Sequence, residues 1–136
     1  MLNIRLHWFE IEDEQDIRWS YTRCLYAYIA PRTSEILYIG KCDGCSVSAR
    51  WRGKQDFWRD LERKRKIFEH TIIVADIEVP SDYRLTRELL ADAESLLIYR
   101  LKPWGNIQCR ISRITRAGLR LSSFGYWPSK RRVFSE

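Results

Sequence analysis

Glu94, Tyr28, Tyr38, Arg50 and Asn106 are of types that together suffice to hydrolyse a phosphodiester bond. Glu94 offers one carboxylate to a metal ion. Tyr28 and Tyr38 offer phenols for proton transfer. Arg50 offers a guanidinium to a phosphoryl oxygen, and Asn106 an amide to hold the arrangement. Glu94 lies in a helical pattern in which Leu89, Leu90, Ala93, Leu96, Leu97 and Leu101 recur at steps of three and four. At about 100° per residue it is about 40° from Leu90, on the rim of the apolar stripe. A carboxylate there is partly desolvated and still reaches a cleft, which suits a hard divalent cation with few protein ligands. The same position also suits a boundary glutamate paired with Arg87, Arg100 or Lys102. Tyr26 and Tyr28 alternate onto one strand face. A phenol acts as a base near neutral pH only beside a cation or with a lowered pKa, and Arg50, Arg52 and Lys54 are the cations in reach. Alternatively the tyrosines simply fill a half-buried sheet.

The elements that must position these groups are legible as punctuation. Residues 21–30 and 36–40 read as two strands of a hairpin around the Pro31–Glu35 turn. Ser46 or Ser48 can cap a short helix from about Val47, ended by Gly53. Residues 56–68 read as a second helical stretch with Phe57, Trp58, Leu61 and Phe68 facing the core. His70–Val79 is a β-branched strand stopped by Pro80. A long helix runs from about Leu85 to Leu101 and ends before Pro103. Residues 2–11 alternate as a lead-in strand. Arg110, Arg113, Arg116 and Arg120 have helical spacing, and 122–136 reads as an extended tail with aromatic anchors.

The chain has 136 residues, 45% of them apolar and 13% aromatic, enough for one domain with a core of its own. The longest apolar runs, such as 71–75, are too short to span a membrane, and the first residues lack the basic-then-apolar layout of a secretory signal. A cytoplasmic protein with no membrane partner is expected. The net charge of +6 is unevenly spread. Residues 1–20 carry five acids, whereas 110–136 carry seven bases, among them Arg113, Arg116, Lys130, Arg131 and Arg132. Such a basic extension fits a polyanion, with a merely solvated surface as the alternative. Cys42 and Cys45 have the spacing of half a zinc site. Only the fold could add Cys24, Cys109 or His70 to it; otherwise all four cysteines are reduced thiols.

Taken in order, these residues resemble the GIY-YIG endonucleases, including the nuclease domain of the excinuclease C subunit. The first motif stands as Tyr26-Ala27-Tyr28, without the family's Gly and Ile, and the second as Tyr38-Ile39-Gly40. Arg50 matches the arginine of the family's first helix, and Lys54 stands four residues later where the family often has His or Tyr. Glu94 matches the metal-binding glutamate, and Pro103-Trp104-Gly105-Asn106 the closing Pro-x-x-Asn. The resemblance covers about residues 22–108, leaving an acidic lead-in at 1–20 and a basic extension at 110–136. It implies an α+β fold, a small three-stranded antiparallel sheet flanked by helices. It implies a DNA endonuclease with one Mg²⁺ or Mn²⁺ on Glu94. Arg50 would stabilise phosphoryl charge, Tyr28 with Tyr38 or Lys54 would move the water proton, and Asn106 would orient the shell. Arg52, Lys64, Lys66 and the C-terminal bases would grip the DNA backbone. Two other readings stand beside this one, a nucleic-acid-binding module that does not cut and a zinc-stabilised interaction domain. DNA specificity would come from loops, the basic extension, an accessory protein or a homodimer partner.

Overall fold

The protein is described by a computed structural model that covers residues 1–106 and 118–135. The three expected strands form. They are β2 (Arg23–Ala30), β3 (Glu35–Asp43) and β4 (Thr71–Glu78), paired antiparallel in the order β3-β2-β4. The sheet does not stop at three strands, and here the expectation of a small three-stranded sheet is corrected. β1 (Leu2–Ile11) pairs antiparallel with β4, β5 (Leu119–Gly125) pairs parallel with β1, and β6 (Val133–Ser135) closes the series. The result is a six-stranded mixed sheet in the order β3-β2-β4-β1-β5-β6. The class is still α+β.

Alternation along the strands divides the core into two layers. Leu25, Ala27 and Ile29 of β2, with Ile4, Leu6 and Trp8 of β1, face α3 (Arg87–Leu101). Leu89, Leu90, Ala93, Leu96, Leu97 and Ile98 are buried there. Thr86 caps this helix, its side chain accepting from the Leu89 N–H, and Lys102 ends it in the left-handed conformation just before Pro103. β5 and β6 bring Leu119, Leu121 and Phe134 to the same layer, and Trp127 stacks on Trp8 at 4.9 Å.

On the opposite face Cys24, Tyr26, Tyr28 and Ala30 of β2 meet α1 (Val47–Arg52) and α2 (Gln55–Asp60). Ser46 caps α1 through a bond from the Ala49 N–H. The stretch expected as one helix over 56–68 is interrupted. After α2 it widens into a π-turn at Leu61–Arg65, and Lys66, at φ 56°, ends it in the left-handed region. That reversal turns Ile67 toward the core and leaves Phe68 70% exposed, where a continuous helix would have buried it. No helix among the described residues is long and apolar enough to cross a membrane.

Candidate active site

β3 is an edge strand, so every second peptide group on its outer side lacks a strand partner. The chain returning from α3 supplies the missing bonds. Gly105 N–H donates to the Leu37 carbonyl at 2.8 Å. The Asn106 side chain then bonds Ile39 twice. Its Oδ1 accepts from the Ile39 N–H at 2.9 Å, and its Nδ2 donates to the Ile39 carbonyl at 2.8 Å. Two residues on, the Lys41 backbone bonds the Glu94 carboxylate. A short run of chain from α3 thus seals the edge as a seventh strand would. The close approach requires Gly105, where a Cβ would meet Phe57 Cε2 at 2.5 Å and the Leu37 oxygen at 2.8 Å.

Glu94 is mostly buried, its side chain 16% exposed, and its ion-pair partner is Lys41, with Nζ 3.6 Å from Oε1. Arg87 pairs instead with Asp43, and Arg100 donates to the Ser135 carbonyl. Burial raises the Glu94 pKa above the usual carboxylate value. The Lys41 ammonium, the Arg50 guanidinium and the Lys41 backbone pull it back. Lys41 alternates with Gly40 and so shares the α3 side with Ile39. Nothing near Lys41 in the sequence marks it as a site residue, because its partner Glu94 lies on a distant helix.

Arg50 comes from the other side of the sheet, on α1, and its charge acts on both Glu94 and Tyr26. Gly40 lets the two layers meet. Opposite it in the ladder stands Tyr26, and a Cβ at Gly40 would collide with the Tyr26 Cζ and Oη atoms. Tyr26 is enclosed and has no room to swing away. Gly40→Ala is therefore expected to cost about 1–3 kcal/mol, as overpacked cores do. Chemical denaturation measures it, and an unshifted midpoint would show that the ring relocates freely.

Tyr28 stands opposite Tyr38 in the β2–β3 ladder, with ring centroids 5.6 Å apart. Tyr28 is 0% exposed. Burial, with Tyr38 alongside, pushes its phenol pKa well above the ordinary value. Its hydroxyl has no hydrogen-bond partner among the described residues. Tyr38 is only half-buried, and its hydroxyl accepts from Lys54 Nζ at 3.0 Å. Behind Tyr28 lies an aromatic wall. Trp58 meets Tyr28 edge-on at 4.7 Å and stacks on His70 at 3.8 Å, and Trp51 Nε1 donates to His70 Nε2 at 3.0 Å. Burial lowers the His70 pKa, which keeps its ring neutral and able to accept that bond. Trp58 was visible in sequence as a helix-face residue, but its meeting with Trp51 at His70 joins residues far apart in the chain.

Among the candidate nucleic-acid contacts, Arg52 and Lys66 are exposed, and Lys64 lies 3.9 Å from Asp60. Lys130 is exposed as well. Arg132 donates to the Ser123 and Trp127 carbonyls, and Arg131 lies over the Phe134 ring. Arg132 therefore helps tie the approach to β6 onto β5. Arg120 projects from a strand rather than a helix. Arg110, Arg113, Arg116 and Cys109 lie outside the described residues. Cys42 is buried opposite Cys24 in the ladder, whereas Cys45 is exposed. Among the described residues no group of three or more His, Cys, Asp or Glu side chains could hold a metal ion. A single carboxylate whose burial penalty is eased by neighbouring cations still fits a hard ion that keeps most of its own waters.

No protein-family model, curated protein or solved structure matches the chain.

Proposed function

We propose that this protein is a metal-dependent endonuclease hydrolysing DNA phosphodiester bonds, as its resemblance to the GIY-YIG enzymes implies. One observation carries the reading. Glu94 of α3 is a mostly buried carboxylate held beside β3 by Lys41 at 3.6 Å, and the charge of Arg50 on α1 also acts on it. That strand also presents Tyr38 with Lys54 on its hydroxyl. Glu94 would hold Mg²⁺ or Mn²⁺, which when bound polarises the scissile phosphate.

Arg50 balances the negative charge that develops on the phosphoryl oxygens. The water oxygen bonds to phosphorus as the bond to the leaving 3′ oxygen breaks. The Tyr38 hydroxyl, held by Lys54 Nζ, would relay the water proton to solvent, and solvent water would protonate the leaving 3′ oxygen. Tyr28, sealed behind Tyr38, supports that ring rather than meeting water. Asn106, at 7% exposure, acts by holding β3 and through it Tyr38 and Gly40.

Tyr38→Phe and Lys54→Met are each expected to slow cutting by about 10²-fold with little change in DNA affinity, the low end of general acid–base effects. Single-turnover cleavage against a binding isotherm separates the two quantities. Equal activity in both variants would remove the proton path from this pair.

A second reading, a nucleic-acid-binding domain that does not cut, is favoured by one feature. Lys41 already sits on the Glu94 carboxylate. The deciding experiment offers plasmid, branched and single-stranded DNA to the protein with Mg²⁺, with Mn²⁺ and with EDTA. Metal-dependent cutting supports the nuclease. Binding without cutting on every substrate supports the second reading.

A further inference from the structure

A cleft of about 450 Å³ lies beside the site, between the β2–β3 turn and the chain that follows the π-turn. Its walls carry Arg32, Thr33, Arg65, Lys66 and Phe68. Three features set it apart from ordinary surface. Phe68 is 70% exposed, although a continuous helix would have buried it. Two exposed cations, Arg32 and Lys66, share its walls. Its floor is rigid. Arg65 grips both oxygens of Glu35 at 2.8 and 3.1 Å, which neutralises the half-buried carboxylate in the wall. Glu69, the other acid, is exposed.

The cleft is joined to the proposed site. Arg65 lies over the Trp104 ring, Trp104 is 6.0 Å from Phe57, and Phe57 is 5.6 Å from Tyr38. The paired residues Ala30 and Glu35 at its base follow Tyr28 and Tyr38 along the same hairpin. Two residues of strand separate Tyr28 from Ala30, about 7 Å. That is close to the reach of one nucleotide unit.

An exposed ring beside cations is the pairing that grips single-stranded nucleic acid, the ring taking a base face and the cations the phosphates. A base within a duplex presents no open face to such a ring. We infer that this cleft takes one unpaired nucleotide of the DNA strand next to the cut, with its base on Phe68 and its phosphate between Arg32 and Lys66. The inference deepens the nuclease reading and rests on it for the word "cut". The preferred substrate is then DNA with an unpaired segment, such as a flap or fork, rather than continuous duplex.

The test uses the full chain carrying Glu94→Gln, so that binding is measured without cutting. The probes are a twelve-residue oligothymidylate and a duplex of equal length. Phe68→Ala, harmless to the core because the ring is exposed, should weaken oligothymidylate binding by about tenfold and duplex binding by less than twofold. Arg32→Gln and Lys66→Asn, the latter chosen because Asn tolerates the left-handed backbone, should each flatten the salt dependence by about 0.7 log units per log unit of salt. Equal oligothymidylate affinity with and without Phe68, or no binding of that probe at all, would overturn the inference. A parallel assay compares cleavage of a flap and of a duplex by the chain with Glu94 intact. If neither is cut while Phe68→Ala still loses the single strand, the nuclease reading fails and the nucleotide cleft stands. If both are cut and Phe68→Ala changes neither rate nor binding, the cleft fails alone.

Discussion

Glu94→Gln is expected to leave a folded protein that binds DNA and cuts it at least about 10³-fold more slowly. Glutamine keeps an oxygen to accept from the Lys41 backbone, so the edge of β3 stays sealed. What it loses is the negative charge that would hold the metal ion. A factor of 10³ corresponds to about 4 kcal/mol of barrier, within the several kcal/mol that a bound metal contributes by polarising phosphate. Stability should move by no more than about 1 kcal/mol, because the lost attraction to Lys41 is offset by removing a buried charge. The two effects are read separately, by cleavage time courses and by thermal melts. A variant that cuts at the wild-type rate would sink the catalytic assignment.

The pH behaviour follows from the same burial. The Glu94 pKa is raised from its ordinary 4.5, so the folded protein holds this proton more tightly than the unfolded chain does. That contribution to stability is present at low pH and is lost as pH rises through the native pKa. Cutting needs the ionised form, so activity should rise over the window in which this part of the stability falls. The difference between wild type and Glu94→Gln isolates the group from other acids, Glu10 among them, whose pKa is raised too. Parallel rather than opposed trends in that difference would show that the folded protein holds this proton less tightly than the unfolded chain does.

How much of this was written locally in the chain depends on the range of the interaction. The leucine stripe and Pro103 announced α3 to within two residues at its start. The two Tyr-rich strands and the Pro31 turn announced the β2–β3 hairpin. Short-range periodicity carries such elements, because each residue's face is set by its immediate neighbours. The sheet beyond β4 was not announced in this way. β1 was legible as a strand, but nothing local says that it pairs parallel with β5. In β5 the alternation of Leu119, Leu121 and Ser123 toward the core is muted by serine, and Ser123 is acceptable there only because Trp8 Nε1 donates to its hydroxyl. Phe68 failed for a related reason. Its helical spacing from Leu61 was sound, but Lys66 left the helix first. The site divides along the same line. Motif order brought out Tyr38, Arg50, Glu94 and Asn106, whereas Lys41 and His70 gain their places from partners far away in sequence.

Asn106→Ala should be the most destabilising substitution at the site. The side chain is nearly sealed, and its two amide atoms satisfy both peptide groups of Ile39. Alanine leaves a buried N–H and a buried C=O without partners, at about 1–3 kcal/mol each. A loss of about 2–5 kcal/mol is a large share of the stability of a domain this size, and a fall in Tm on the order of 10 °C is expected. Asn106→Asp should do no better. Its carboxylate can still accept from the Ile39 N–H, but an oxygen would face the Ile39 carbonyl where the amide now donates. This separates a residue that shapes the site from one that acts in it. Below its melting range, Asn106→Ala should regain much of its cutting, because β3 re-forms and Tyr38 and Gly40 return with it. A group in contact with the substrate would give the opposite pattern, with wild-type stability and lost activity at every temperature. That outcome would move Asn106 from the frame of the site into its chemistry.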